Sequence, residues 1–186
     1  MRTDPEFKAL LSGGDRRSIA GARRVVELVL EQPERVREVA ALAQDRDWLV
    51  SLRAMDVLEK LVRKHADWVQ PYKKLFIGPL AEREEWEMRL QIVRALPLLA
   101  WTSSERKRVV EILLRDVEHP NKFVRAWALD SLARFAEQDP ALAPVVREQL
   151  EAFEHSGSGA LIARAKAIRA RLLRLSRNRQ RRKQPA

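Results

Sequence analysis

The sequence predicts an all-α fold, a stack of about five antiparallel helix pairs, and three observations predict it. Ala, Leu, Arg and Glu dominate the 186 residues and period-two runs of β-branched residues are missing, which favours helix over strand. Glycine is scarce, and Gly13-Gly14, Gly78, Gly157 and Gly159 fall where the chain should turn, with Gly21 the exception. Apolar stripes of helical period recur along the chain at intervals of 36 to 39 residues.

Turn signals cut the chain into about ten helical segments. Ser12-Gly13-Gly14-Asp15 separates a first helix, over about 4–11, from a second over about 16–31. Gln32-Pro33 starts the third, with Pro33 in a first turn, where a missing N–H costs little. Asp45-Arg46-Asp47 opens the fourth, which runs to about His65. Asp67 through Pro71 opens the fifth, and Gly78-Pro79 interrupts it. The sixth covers about 84–101 and contains Pro97, which should kink it or end its regular ladder. Ser103 or Ser104 caps the seventh, with Glu105 close to its positive end. His119-Pro120-Asn121 opens the eighth. Asp139-Pro140 opens the ninth, with Asp as N-cap and Pro at the first helical position. Ser156-Gly157-Ser158-Gly159 leads into the tenth.

The even-numbered segments align from Val50, Met88, Val124 and Ala163. Counting these as zero, position +4 reads Ala54, Ile92, Ala128, Ala167, and position +5 reads Met55, Val93, Leu129, Ile168. Position +8 reads Leu58, Leu96, Leu132, and position +11 reads Leu61, Leu99, Phe135. At 100° per residue these share one stripe, so each helix buries one face. The odd segments carry a looser stripe, such as Val36, Val39, Leu42 or Val109, Ile112, Leu113 or Val145, Val146, Leu150. Each antiparallel pair is then one unit, and stacked pairs share a continuous core.

The run His119-Pro120-Asn121-Lys122-Phe123-Val124-Arg125-Ala126-Trp127-Ala128-Leu129 resembles the second-helix pattern of HEAT-repeat proteins, a turn followed by Val-Arg and then small and aliphatic residues. The Val-Arg element recurs as Met88-Arg89 and Ala163-Arg164, and is Val50-Ser51 in the earlier unit. The family's turn Asp is present as Asp45, while Arg83, His119 and Ser158 take the matching places elsewhere. The resemblance covers about 33–172 and implies a right-handed α-α superhelix with units near 4–31, 33–65, 67–101, 104–137 and 140–175. Residues 4–31, with Ser18, Ala22, Val26 and Val29, read as a degenerate first unit.

The net charge of +10 is unevenly placed. Ten basic residues and no acid lie between Leu161 and Ala186, and residues 1–160 balance 26 bases with 26 acids. The body is neutral, helix ten is a basic cap, and the run from Ser176 to Ala186 has almost no apolar content and reads as a disordered basic tail. The absence of cysteine excludes disulfides, thiolate metal sites and a Cys nucleophile. The N-terminal residues lack a signal-peptide pattern and no apolar run suits a bilayer, so a cytoplasmic chain without a membrane partner is expected. No cofactor or metal is expected: His65, His119 and His155 sit singly near helix ends and read as surface or capping residues. Trp48 and Trp86 share position −2 of their repeats and read as wedges between units.

In a HEAT-like array the second helices line the concave side, which usually binds the partner. Positions +3, +6 and +10 lie opposite the buried stripe and nominate Arg53, Gln91, Arg94, Trp127, Asp130 and Arg134. Aromatic and Arg residues are the usual interface anchors. The expected function is therefore a non-enzymatic binding or scaffold module that holds a protein partner on this face. An alternative uses the basic end, with Arg169, Arg174, Arg177, Arg179, Arg181, Arg182 and Lys183 gripping nucleic-acid phosphates without reading sequence. A third reading rests on likeness to the HEAT-like alkylpurine DNA glycosylases, whose concave Trp and Asp suggest Trp127, Asp130 and Arg134. No family motif matches residue by residue, so no catalytic residue is assigned.

Overall fold

The structure is a computed structural model that describes residues 5–183, with side chains through Asn178. Helix accounts for 77% of it, and among the described residues there is no strand. The helices are α1 (Pro5–Leu11), α2 (Ala22–Glu31), α3 (Val36–Leu42), α4 (Trp48–Val62), α5 (Ala66–Val69), α6 (Trp86–Ala95), α7 (Ser103–Asp116), α8 (Lys122–Ala136), α9 (Ala143–Glu154) and α10 (Gly159–Lys183). The chain divides into two units, one ending at Ile112 and the other starting at Leu113. No helix among the described residues is long and apolar enough to cross a membrane.

In the first unit α4 is the central element, packed against α1, α2, α3 and α6. Its expected stripe is buried in full: Val50, Ala54, Met55, Leu58 and Leu61 are at most 1% exposed. The same positions after Met88 (Ile92, Val93, Leu96 and Leu99) are buried as well. Asp47 caps α4 by accepting from the Leu49 N–H at 2.9 Å.

Three departures from the predicted elements occur here. The second helix starts at Ala22, not near 16, because Gly13, Gly14 and Ala20 adopt positive φ and the Asp15 carboxylate accepts from the backbone N–H groups of Arg17 and Ser18. Gly21, the glycine without an obvious turn, is explained by close approach. Its N–H donates to the Leu10 carbonyl at 2.8 Å, and a Cβ there would sit 2.8 Å from that same oxygen.

The fifth segment is only one turn of α-helix, followed by 3₁₀ turns over Gln70–Phe76 and Pro79–Glu82. Pro71, Gly78 and Pro79 break the ladder, while Val69 and Phe76 anchor the irregular path in the core. Pro97 ends α6, which stops at Ala95 and passes into a 3₁₀ turn over Leu96–Leu98. The cap of α7 is Thr102, one residue before the expected serines. Thr102 Oγ1 accepts from the Glu105 N–H at 3.3 Å, and Glu105 Oε2 accepts from the Thr102 N–H at 3.0 Å, a reciprocal capping box.

In the second unit α8 packs against α9 and α10. Val124, Ala128, Leu129, Leu132 and Phe135 are buried along α8, with Val146, Leu150 and Phe153 from α9 and Leu161, Ala165 and Ile168 from α10. Asn121 caps α8 and Asp139 caps the 3₁₀ turn Pro140–Leu142 that leads into α9. The repeat alignment misplaces α10. Ala163 and Ala167 are exposed, and the buried face is set by Leu161, Ala165 and Ile168. Alanine has too little apolar surface to hold a helix in one rotation, so the larger residues decide. Helix α10 also runs on to Lys183, where the sequence suggested a tail from Ser176. Arg, Gln, Lys and Leu are good helix formers, and no glycine or proline interrupts them before Pro185. Residues 184–186 of that expected tail lie outside the described residues.

One device recurs at the position after three of the four aligned starts, Val50, Met88 and Val124. Ser51 Oγ donates to the Ala43 carbonyl at 2.6 Å, Arg89 Nε to the Arg83 carbonyl at 2.6 Å, and Arg125 Nε to the Val117 carbonyl at 3.0 Å. Each fastens its helix to the turn or the helix end before it, a task that needs only a donor and an upstream carbonyl.

Candidate functional site

The six residues expected on one face divide three and three between the units. In the first unit, α2, α4 and α6 surround a groove of about 400 Å³ that includes Arg94 and its repeat neighbours Asp56 and Lys60. At its floor lies Glu59, 1% exposed, a carboxylate that sequence analysis did not single out. Glu59 Oε1 accepts from Arg63 Nε at 2.6 Å and lies 3.1 Å from Arg94 Nε. A buried carboxylate survives where cations compensate it. The pattern that reveals it is Glu59–Arg63 at i,i+4 next to the buried Leu58. Asp56 pairs with Lys60 and accepts from Gln91 Nε2 at 3.3 Å.

The groove's remaining features face outward. Leu30 is 41% exposed, a large apolar residue at the rim. Lys64 is exposed and makes no ion pair among the described residues. His65 stacks on Trp68 with ring centroids 4.0 Å apart. Lys60, Arg63, Lys64 and Arg94 outnumber Asp56 and Glu59, so the lining carries a positive surplus.

Arg53 is not part of an open face. It is 3% exposed, and its guanidinium donates to four backbone carbonyls: Leu11 and Gly13 at 2.6 Å, Asp15 and Ser18 at 3.0 Å. The loop between α1 and α2 closes over it, so the position that faces solvent in a regular repeat is roofed here. Arg16 in the same loop forms a fork with Glu87 at 2.6 and 2.7 Å. That bond holds Arg16 above its ordinary pKa and Glu87 below its own.

In the second unit Trp127, Asp130 and Arg134 do come together, joined by two arginines of α10. Asp130 is 4% exposed. Its carboxylate meets Arg134 Nε at 3.1 Å, Arg171 Nη1 at 2.9 Å and Arg164 Nη1 at 3.6 Å. The Arg164 guanidinium also covers the Trp127 ring, 3.9 Å from its centroid. Both carboxylate oxygens are engaged by guanidinium groups, and the half-buried indole is covered on one face. The arrangement makes Asp130 the common acceptor of an ion-pair network that joins α8 to α10.

The basic end is partly committed as well. Arg169, expected to grip phosphate, forms a fork with Glu154 at 2.6 and 3.0 Å. The bond raises the arginine pKa and lowers that of the glutamate. Arg171 donates to Asp130 and to Glu137 at 3.0 Å. Arg174 and Arg177 are exposed and form no ion pair among the described residues. The side chains of Arg179, Arg181, Arg182 and Lys183 lie outside the described residues.

The histidines act locally. His119 Nδ1 accepts from the Asn121 N–H at 2.9 Å, and His155 Nδ1 lies 2.8 Å from the Glu151 carbonyl. All five tryptophans are half-buried; Trp48 lies under Arg16, 5.7 Å from its ring centroid.

Comparison with protein-family models finds none that matches this chain, and comparison with curated proteins finds no match either.

Proposed function

We propose that the chain is a HEAT-like helical-repeat binding module, built as a right-handed superhelix, whose task is to hold a segment of a protein partner. The observation that carries this reading is the groove between α2, α4 and α6. It combines an exposed apolar rim at Leu30, an uncommitted cation at Lys64 and a floor held rigid by the Glu59 pairs. Interfaces combine an apolar centre with a polar, charged rim. The positive surplus favours a partner segment that carries carboxylates beside an apolar side chain.

Arg94 is a poor handle for testing this, since reversing its charge would set a second carboxylate beside Glu59. Leu30→Asp and Lys64→Glu act on exposed groups instead. The double variant should lose partners that the wild-type chain captures from nuclease-treated extract. The reading fails if the variant, folded by circular dichroism, captures the same set.

A second reading rests on α10. Its helix continues past the packed region with Arg174 and Arg177 uncommitted, so cationic side chains are displayed along a rod. Such a rod suits a phosphate backbone. Removing residues 176–186 should abolish most affinity for RNA or DNA, and the intact chain should lose affinity steeply with salt. Salt-insensitive binding that survives the truncation overturns it.

A further inference from the structure

A second cavity of the first unit lies apart from the groove, where the fifth segment abandons the regular helix. It has a volume of about 810 Å³, between α3 and the 3₁₀ path that replaces a full helix. Ligand pockets commonly span about 300–1,000 Å³, with apolar walls and a few polar groups that orient the guest. The walls here are Ala40 and Ala41 of α3, facing Leu75, Pro79 and Leu80. Two adjacent alanines leave room that a larger aliphatic residue would fill.

The polar groups at the mouth sort into two kinds. Asp45 is occupied by Lys8 at 2.8 Å and by the Asp47 N–H at 2.9 Å. Arg83 is occupied by a fork to Glu85 at 2.9 and 3.1 Å. Lys74, Tyr72 and Gln44 also line the cavity, and their side chains make no hydrogen bond or ion pair among the described residues. Tyr72 is the chain's only tyrosine and is half-buried. The one charge left uncommitted at the cavity is therefore the Lys74 ammonium, and the same lining holds a phenol and an amide, each able to donate.

We infer that this cavity binds a small organic anion with an apolar body and a single acidic head, its body against Ala41 and Leu75 and its head at Lys74 and Tyr72. The inference is independent of the groove between α2, α4 and α6. A cation would meet no free carboxylate here, and an uncharged apolar guest would leave the donors of Lys74 and Tyr72 unused.

Decanoate tests it, with decanol as the neutral molecule of equal chain length, both titrated by calorimetry into the 186-residue chain. Decanoate should bind once per chain and at least about tenfold more tightly than decanol, a difference of about 1.4 kcal/mol. Lys74→Glu, an exposed substitution that leaves the walls intact, should weaken decanoate at least about tenfold and decanol little. Ala41→Trp should weaken both, because the indole would occupy the wall against which the apolar body lies. The proposal is overturned if decanoate does not bind at about 1 mM, where the standard free energy would be only about −4 kcal/mol. It is equally overturned if decanol binds as well as decanoate, or if decanoate binding survives Lys74→Glu.

Discussion

Arg171 donates to the Asp130 carboxylate at 2.9 Å and to the Asp130 backbone carbonyl at 3.2 Å, so one side chain of α10 holds both the charge and the main chain of α8. Removing one member of a buried pair costs about 3–5 kcal/mol when the other charge is left alone. Arg134 and Arg164 still face Asp130, which should reduce the cost of Arg171→Met to about 2 kcal/mol. Urea unfolding measures it. Adding Asp130→Asn should recover part of the loss, because the orphaned charge disappears with it. Strict additivity of the two substitutions would show that Arg171 and Asp130 do not act together.

Arg53 offers a sharper case, because its four acceptors are the carbonyl of the last residue of α1 and three carbonyls of the loop that follows. A lysine supplies three donors from one point and cannot span carbonyls that a planar guanidinium reaches from separate nitrogens. Arg53→Lys should destabilise the first unit by about 2–3 kcal/mol, the cost of burying acceptors without donors. The loop over residues 12–20 should then become the first site of limited proteolysis. A variant as resistant as wild type would show that the loop holds its path without Arg53.

These two arginines also mark where the sequence is legible and where it is not. The apolar stripes of α4, α6 and α8 are legible from periodicity, but the expectation of one buried face per helix fails for α4, where Ser51, Leu52, Val57, Glu59 and Val62 are buried too because helices pack around it. The same arithmetic places Arg53 outward, and it fails because a loop distant in sequence folds over that position. It misplaces α10 because Ala163 and Ala167 carry almost no rotational preference. The capping box of α7 is written in the sequence as Thr102-Ser103-Ser104-Glu105, and three candidate hydroxyls in a row conceal which one caps. Glu59 and Asp130 are buried acids, and a single helix pattern cannot show which distant cations compensate them.

The capping box carries a pH signature. Lys73 donates to Glu105 Oε2 at 2.6 Å, and with the Thr102 N–H it holds the glutamate at about 2, well below its ordinary 4.5. A depressed carboxylate stabilises the fold above its unfolded pKa, and that contribution is lost as pH falls through the folded value. The loss should run from about pH 4.5 down to about pH 2. At neutral pH, Glu105→Gln should melt below wild type. The gap between the two melting temperatures should narrow across that acid window. A gap independent of pH would assign the effect to packing and not to charge.

Truncation separates the two parts of α10. Leu161, Ala165 and Ile168 are buried, whereas Ser176, Arg177 and Asn178 are exposed. Stopping the chain after Leu175 should leave the helical circular dichroism per residue and the melting temperature nearly unchanged. Stopping it at Gly159 should unfold the second unit, because α8 would lose its Arg164 and Arg171 contacts along with the apolar face. Cooperative melting of that shorter chain at the wild-type temperature would contradict this account of the core.

The end of α6 depends on an indole. Once Pro97 breaks the ladder, the Leu96 carbonyl accepts from Trp101 Nε1 at 2.8 Å, and Lys73 lies 5.5 Å from the centroid of the same ring. Trp101→Phe keeps a ring beneath the ammonium and removes only the donor. The exchange should cost about 1 kcal/mol, the usual net value of one hydrogen bond. Trp101→Ala should cost more, since it also strips a half-buried aromatic surface from beside Leu96. Denaturant unfolding followed by circular dichroism ranks the three chains. Equal stabilities for wild type and the Phe variant would mean that the carbonyl does not need the indole, and the 3₁₀ turn would then rest on Pro97 and Leu96 alone.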